Sequence, residues 1–210
     1  WKYSLMEDTR PGESFPVFES DNGSYILNSK DLCMINHIPE MINSGVTSLK
    51  IEGRVKTEYY VSVVTSAYRH AIDDCFEDLD LFYSNLDYYF DEVNKVSHRE
   101  YSTGFYFGNP LENGQNYLTG GYVRDYEVSG LVTGYNSVKK RLYLNQRNKF
   151  SVGDTLEIMQ PGKKTAEIVV SKMYDDEDNM IFSAPHPDMK LSIDCDVFVS
   201  GKAILRKMKL

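Results

Sequence analysis

The sequence is poor in cysteine, and its three cysteines (Cys33, Cys75 and Cys195) lie far apart with no Cys-x-x-Cys pair. This spacing does not predict a disulfide framework, so we expect a reducing, cytoplasmic setting. Long apolar runs are lacking too, and none approaches the roughly 18 residues that a membrane-spanning helix needs. The four histidines show no metal-ligand spacing, and neither a Ser/His/Asp arrangement nor a phosphate-binding loop is present.

Positive charge is scarce in the first half of the chain. Residues 1–117 carry 9 Lys and Arg against 19 Asp and Glu, a net charge of −10, whereas residues 118–210 carry 14 against 12, a net charge of +2. The net charge of −8 over all 210 residues argues against unspecific binding to nucleic acid. Only the second part can meet phosphate groups without strong repulsion. Because the chain starts with Trp1 rather than Met, we expect a C-terminal fragment of a longer protein.

The first 78 residues alternate between strand and helix patterns. The pattern predicts a strand over 24–28, a helix over 32–43 with Ser29 as its N-cap, a strand over 47–52 and a helix over 57–74. Gly45 is the expected stop of the first helix. This order favours parallel strands with crossover helices, so we predict the C-terminal portion of a TIM-like (β/α) barrel for residues 1–78.

The pattern changes after residue 78. Residues 79–117 combine a helix predicted over 86–96 with an aromatic, glycine-rich linker that we expect to pack against the rest. Residues 118–210 alternate with a period of two and predict a small all-β barrel. The fold class is therefore α/β plus all-β. The candidate strands of the second domain are 120–125, 127–135, 141–144, 154–159, 165–173, 180–183 and 195–199.

Four residues are predicted to share the rim of the barrel where the parallel strands end. Cys33 would lie in the first turn of a helix, where the helix dipole lowers a thiol's pKa and favours a metal-binding thiolate. Lys50 and Glu52 share one strand face and Arg54 follows them, so they point to the same functional face. Each has a structural alternative: Cys33 as a small hydrophobe, Lys50 with Glu52 as an internal ion pair, and Arg54 as a loop cap.

Several motifs together resemble a known family, the collagenase-like peptidases of family U32, whose peptidase mechanism is unassigned. They are Asn28-Ser-Lys-Asp-Leu-Cys33, Ser48-Leu-Lys-Ile-Glu-Gly-Arg54, Glu7-Asp-Thr-Arg-Pro-Gly-Glu13, Lys56-Thr-Glu-Tyr-Tyr60 and Tyr101-Ser-Thr-Gly-Phe105. The resemblance covers essentially the whole chain. The group it is most similar to comprises the prephenate-dependent tRNA uridine hydroxylases, which convert the wobble uridine of tRNA to 5-hydroxyuridine.

The resemblance implies a four-iron–four-sulfur cluster held by four cysteines, with Cys33 as one ligand and the other three upstream of Trp1. Cys75 and Cys195 match no ligand position and are expected to be structural. Lys50, Glu52 and Arg54 would be the catalytic residues, with Lys50 or Arg54 on a carboxylate such as that of prephenate, the implied co-substrate. The resemblance also makes Arg10, Asn28 and Lys56 candidates for substrate binding.

The second domain resembles the β-barrel of translation factors that is known as domain 2. Its basic residues could dock RNA, and the equal alternative is a barrel that only positions the catalytic domain. The candidates for RNA contact are Lys139, Lys140, Arg141, Lys163 and Lys164.

Three functions stay open at this point. The parent protein is expected to be an RNA-modifying enzyme, the alternatives are an endopeptidase and a module that only binds RNA or protein, and the fragment alone is expected to be inactive. Unpaired barrel edges also predict a homodimer through residues 1–75.

Overall fold

The chain opens with a three-stranded antiparallel sheet. The computed structural model describes residues 3–20, 23–26, 28–116 and 122–209. Strands β1 (Tyr3–Met6), β2 (Ser14–Ser20) and β3 (Gly23–Tyr25) pair in that order. Of the strand predicted over 24–28, Ser24 and Tyr25 belong to β3, residue 27 lies outside the described residues, and the expected parallel pairing is wrong because β3 pairs antiparallel with β2. All four side chains of β1 are exposed.

A short parallel pair follows. Strand β4 (Asp31–Leu32) lies beside β5 (Tyr101–Ser102), with Asp31 opposite Tyr101 and Leu32 opposite Ser102. This is the one parallel pair among the residues that the structure describes. The TIM-like barrel portion predicted for residues 1–78 is therefore not confirmed.

The first helix starts later than its apolar pattern predicts. A 3₁₀ turn (Ile35–His37) leads into α1 (Ile38–Asn43), which has Pro39 in its first turn. A proline is tolerated there because the first N–H groups of a helix have no partner within the helix. The predicted cap at Ser29 is wrong, since that residue forms an isolated antiparallel bridge with Gln115 instead.

The segment after α1 is extended but unpaired. Gly45 follows the helix with φ at 84°, in the left-handed region where glycine is favoured, so the predicted helix stop is confirmed. The strand predicted over 47–52 is wrong, because no strand of the described part hydrogen-bonds to this segment. Burial still alternates along it, with Leu49 and Ile51 half-buried and Lys50 and Glu52 exposed.

Three helices form one layer: α2 (Glu58–Glu77), α3 (Leu79–Ser84) and α4 (Leu86–Asn94). The hydroxyl of Thr57 caps α2 by accepting a hydrogen bond from the Tyr60 N–H, at 3.2 Å. The helices predicted over 57–74 and 86–96 are confirmed, whereas α3 was not predicted. No described helix combines the length and the apolar composition needed to cross a membrane.

The helical layer has its own core. Ile35 and Ile38 pack with small residues of α2 and with the large side chains of α3 and α4, namely Ala67, Ala71, Phe82, Tyr89 and Val93. The alanines of α2 recur every four residues and leave room for the rings beside them. The core of the layer therefore combines the two rings with aliphatic side chains.

The second part is an antiparallel β-structure with a large sheet of eight strands, in the order β10-β9-β15-β6-β7-β14-β11-β12. A two-residue pair, β8 with β13, lies beside it. The strands are β6 (Tyr126–Asn136), β7 (Arg141–Gln146), β8 (Phe150–Ser151), β9 (Thr155–Met159), β10 (Ala166–Val169), β11 (Met173–Asp175), β12 (Met180–Ile181), β13 (Ser183–Ala184), β14 (Lys190–Asp194) and β15 (Ile204–Met208).

The predicted all-β character of this part is confirmed, but its strand list is correct only in places. The strands predicted over 127–135, 141–144 and 154–159 are present. The predicted 165–173 strand is two strands, 195–199 is not a strand, and β14 and β15 were missed. Of the strand predicted over 120–125, residues 120 and 121 lie outside the described residues, and Val123 forms only an isolated bridge with His98.

Candidate functional site

A cavity of about 470 Å³ lies between β4, the extended segment and α2. It brings Cys33 together with Lys50 and Glu52, as the sequence predicted. We call it the Cys33 cavity. Its charged and aromatic lining consists of Asp31, Lys50, Glu52, Lys56, Tyr60, Tyr68, Tyr101 and Tyr106.

Cys33 is held by β4 rather than by a helix. Its N–H donates to the Ser102 carbonyl at 2.9 Å, which continues the parallel pairing by one residue. Its Sγ lies 3.8 Å from the Tyr68 hydroxyl, which itself accepts the Met34 N–H at 2.9 Å. Burial raises the pKa of the Cys33 thiol, opposed by hydrogen bonds from the Ile35 backbone and from Tyr68. The predicted helix-dipole lowering of that pKa is wrong.

The charged residues of the extended segment divide into two groups. Lys50 and Glu52 line the Cys33 cavity together with Leu49 and Ile51, so the whole extended segment forms this wall. No described carboxylate lies within ion-pair distance of Lys50, so the predicted internal pair with Glu52 is not formed. Arg54 does not line the cavity, and its backbone N–H donates to Glu52 Oε1 at 3.0 Å.

Three tyrosines around the thiol were not predicted as site residues. Tyr60 and Tyr68 come from α2, and Tyr101 comes from β5. Burial is the first cause that raises the pKa of each hydroxyl, and nearby negative charge adds to it. These phenols therefore stay protonated and can donate hydrogen bonds. The sequence signal was the spacing of Tyr60 and Tyr68, eight residues apart and thus on one helix face.

The three candidates for substrate binding separate in the structure. Lys56 lines the Cys33 cavity. Arg10 lines an adjoining cavity of about 920 Å³ and is paired with Glu7 and Glu13, at 3.4 and 3.9 Å. Asn28 lines neither cavity: its amide nitrogen donates to the Asn116 carbonyl at 3.2 Å, and its amide oxygen accepts from Arg99.

Most of the candidates for RNA contact have partners within the molecule. Lys140 pairs with Asp196 at 2.7 Å, and Arg141 pairs with Asp178 and lies over the Tyr174 ring. Lys164 donates to Asn85 at 2.9 Å. Lys163 lies 5.2 Å from the Phe198 ring centroid, and its carbonyl is 3.2 Å from His70 Nε2. Lys139 is exposed in the turn before β7. The contacts of Lys163 and Lys164 with α2 and Asn85 fasten a hairpin to the helical layer, and a role in RNA contact stays a prediction.

A buried ion cluster joins the helical layer to the β-domain and was missed by the sequence analysis. Arg206 is completely buried, and its Nη2 lies 2.6 Å from Glu92 and 2.7 Å from Glu157. Lys95 reaches both carboxylates at 3.1 Å. These four residues come from α4, its C-terminal end, β9 and β15. Because these residues are far apart in the sequence, no local pattern predicts the cluster.

The described residues form no group of three or more His, Cys, Asp and Glu side chains that could hold a metal ion. All three cysteines are free thiols. Cys75 does not line the Cys33 cavity, and Cys195 is buried in the β-domain core with its thiol 3.3 Å from the Val197 carbonyl. The chain thus brings one thiol to the cavity, whereas the implied cluster needs four.

Comparison with family models gives two matches. Residues 1–116 match the model for peptidase family U32, and residues 124–206 match the model for the C-terminal domain of that family. The two matches together account for nearly all of the chain.

Proteins with related sequences carry two kinds of name. The chain is 30% identical to tRNA hydroxylation protein P1 of Bacillus subtilis, over all of the chain and 49% of that protein. It is 39% identical to tRNA hydroxylation protein P of Escherichia coli, over 76% of the chain and 34% of that protein. It is also 35% identical to an uncharacterized protease of Methanocaldococcus jannaschii, over 82% of the chain and 42% of that protein. The chain therefore spans half or less of these relatives.

A solved structure matches part of the chain. The C-terminal domain of a U32 peptidase from Geobacillus thermoleovorans is 28% identical, with a TM-score of 0.38, and the match covers 39% of this chain and 99% of that one.

Proposed function

Since the chain belongs to peptidase family U32, we propose that it is part of a tRNA-hydroxylating protein and that the Cys33 cavity is part of its reaction site. The names of the Bacillus and Escherichia relatives support tRNA hydroxylation. The observation that carries the proposal is the cavity itself, where a thiol, two lysines and four phenols meet. The expected product is 5-hydroxyuridine at the wobble position of tRNA.

The cavity residues have distinct chemical roles in this proposal. Lys50 lacks a described ion-pair partner and lies at the cavity wall, so it is suited to bind a carboxylate such as that of prephenate. The Tyr68 hydroxyl accepts the Met34 N–H and lies 3.8 Å from Cys33 Sγ, so it is placed to donate its hydrogen to a thiolate at Cys33. Arg54 lies outside the cavity, so the proposal gives it no contact with the reacting atoms.

The implied iron–sulfur cluster fits the described residues only in part. Cys33 can supply one thiolate, and no second described cysteine lines the cavity. The remaining ligands would have to come from chain outside the described residues. The proposal therefore keeps Cys33 as a ligand and derives no reaction step from the cluster.

An endopeptidase is the alternative, and the name of the Methanocaldococcus relative supports it. A cysteine peptidase needs a thiolate that is activated by a neighbouring base. Cys33 contacts a tyrosine hydroxyl, and burial raises the pKa of its thiol, so it is poorly suited as a nucleophile. A module that only binds RNA or protein would leave the Cys33 cavity without a chemical role.

Substitution of Cys33 in the complete protein tests the proposal. The protein with Cys33→Ser is expressed in cells that lack the native enzyme, and 5-hydroxyuridine in total tRNA is measured by mass spectrometry. We expect the modification to be lost with Cys33→Ser and to fall about tenfold or more with Lys50→Gln, since a positioned charge is removed.

Cys75→Ser is the matched control, because Cys75 lies outside the cavity. It should leave the modification at its normal level. Full modification with Cys33→Ser would refute the proposed site. Hydrolysis of gelatin by the purified protein that is unaffected by Cys33→Ser would instead favour a peptidase with its centre elsewhere.

A further inference from the structure

A second cavity, of about 480 Å³, lies where the start of α2 meets the start and the end of the β-domain. We call it the junction pocket. Its cations are Lys56, which precedes α2, Arg124, which precedes β6, and Lys209, which follows β15. Tyr60 and Tyr122 supply much of its aromatic wall. Three separate segments thus bring one positive charge each to the same space.

The charge of the junction pocket is not balanced locally. No Asp or Glu lines it among the described residues, and its three cations form no ion pair with a described carboxylate. Neighbouring cations differ: Arg99 pairs with Asp31 at 3.0 Å and Lys207 with Asp154 at 2.9 Å. In a protein of net charge −8, a cation cluster without counterions favours an anionic ligand.

The aromatic ring of Tyr122 is surrounded by cations. Tyr122 is 44% exposed, and the Nζ atom of Lys56 lies 4.5 Å from its ring centroid. The guanidinium groups of Arg124 and Arg99 each lie 5.9 Å from the same centroid. Interleaved aromatic rings and cations are typical of surfaces that bind single-stranded nucleic acid, where bases stack and phosphates pair.

We propose that the junction pocket binds the RNA strand. Phosphates contact Lys56, Arg124 and Lys209, and one unpaired base stacks on Tyr122. The identity of the ligand as RNA rests on the proposed function. The aromatic ring beside the cations suits a nucleic acid strand better than a bare phosphate ion, because a phosphate ion has no base to stack on the ring.

The position of the pocket connects it to the Cys33 cavity. Lys56 and Tyr60 line both spaces, so the two are neighbours along one wall. An RNA strand held in the junction pocket is thereby placed beside the thiol and Lys50. The RNA surface thus lies at the junction with the helical layer rather than on the β-domain turns, where most candidate cations are already paired.

Binding of fluorescein-labelled tRNA to the 210-residue chain, followed by fluorescence anisotropy at several salt concentrations, tests the proposal. The double substitution Arg124→Glu/Lys209→Glu is expected to weaken binding at least tenfold. The plot of the logarithm of the association constant against the logarithm of the salt concentration should also become less steep, by about 1.4 to 1.8, because two phosphate contacts are lost. Tyr122→Ala should weaken binding about tenfold through lost stacking, with little change of slope.

The matched control is Lys149→Glu/Lys172→Glu, which changes the net charge equally at two exposed lysines of the β-domain. It should keep the affinity within about twofold, and each variant should keep the melting temperature of the unsubstituted chain. An equal loss in this control, an unchanged affinity of the Arg124/Lys209 variant, or no binding by the unsubstituted chain would overturn the proposal. So would complete displacement of RNA by inorganic phosphate at millimolar concentration, which would indicate a site for a small anion.

This test is separate from the test of the proposed function. RNA binding is measured without any hydroxylation, and Arg124, Lys209 and Tyr122 do not line the Cys33 cavity. A negative result of the hydroxylation experiment would not contradict RNA binding in the junction pocket. Likewise, a negative result of the binding experiment would not contradict the role proposed for the Cys33 cavity.

Discussion

The surroundings of Cys33 show how one hydroxyl can serve two neighbours. The Tyr68 hydroxyl accepts the N–H of Met34, which is almost fully buried, and its oxygen also lies 3.8 Å from the Cys33 sulfur. Both interactions depend on a side chain that lies ten residues after the start of α2 and more than thirty residues away along the chain. The pKa of the thiol therefore depends on the placement of α2 as well as on the nearby Ile35 backbone.

Tyr68→Phe should lower the free energy of unfolding by about 1–3 kcal/mol, because the Met34 N–H is left buried without its partner. Urea unfolding measures this change. Tyr83→Phe, at an exposed tyrosine of α3, is the control and should change stability by less than about 0.5 kcal/mol. Equal stabilities of the two variants would contradict the role of Tyr68.

The same substitution should raise the pKa of the Cys33 thiol further, since the hydrogen bond from Tyr68 opposes the effect of burial. The pH dependence of alkylation reports this pKa in a Cys75→Ser/Cys195→Ser background, where Cys33 is the single thiol. At neutral pH the Tyr68→Phe variant should therefore react more slowly. Faster reaction would mean that exposure, rather than the hydrogen bond, controls the thiol.

Single residues were predictable where the signal was local. Lys50 and Glu52 lie in one short extended segment, and residues 48–52 all line the cavity of Cys33, so closeness in sequence rather than alternation brings them there. Arg206 was not predicted, because its acids lie 114 and 49 residues away in sequence. No local pattern separates such an arginine from an exposed one.

At the scale of elements, the alternation of apolar and polar residues does not decide which segments form paired strands. The segment over 47–52 alternates like a strand, yet it has no paired neighbour among the described residues. The predicted 165–173 strand divides because β10 pairs with β9, whereas β11 pairs with β14. Strand identity depends on the partner, and the partner is distant in sequence. Helix α2 was predictable because its hydrogen bonds and its cap are local.

Strand β6 contains two glycines whose replacement by alanine is predicted to affect stability differently. A Cβ at Gly130 would lie 2.4 Å from Leu144 Cδ1 and 3.1 Å from the Asn145 carbonyl, whereas a Cβ at Gly134 would meet nothing within 4 Å. Gly130→Ala should therefore lower the free energy of unfolding by about 1–3 kcal/mol through overpacking against a buried leucine.

Gly134→Ala is the matched control in the same strand. It should be neutral or slightly stabilising, because alanine restricts the unfolded chain more than glycine does. Thermal unfolding of both variants gives the comparison. A Gly130→Ala protein as stable as the Gly134→Ala protein would show that β6 can shift away from β7.

At the scale of the molecule, the two parts are joined by apolar packing and by charge. Val63 and Val64 of α2 pack with Val96 and with Met159 of β9, so one small core spans both parts. The buried ion cluster lies close by, with Tyr59 donating to the Lys95 carbonyl at 2.9 Å. The dimer predicted through residues 1–75 stays a prediction.

Arg206→Met should lower the free energy of unfolding by about 3–5 kcal/mol, because Glu92 and Glu157 remain buried with too little positive charge. The matched control is Arg147→Met, which removes an exposed pair with Asp188 and should cost less than about 1 kcal/mol. Urea unfolding with hydrogen exchange compares them. Equal losses would contradict a structural role for the buried ion cluster.

The position of Arg206 in the last described strand has a consequence for synthesis on the ribosome. Glu92 and Glu157 are translated long before the arginine that neutralises most of their charge. Until then, Lys95 is the one cation of the described residues that pairs with the two carboxylates and opposes their repulsion. The helical layer can fold as soon as it emerges, but its stable docking with the β-domain has to wait until β15 has been made. A ribosome that stalls shortly before that strand would therefore carry a nascent chain whose two parts are folded or folding, yet not joined.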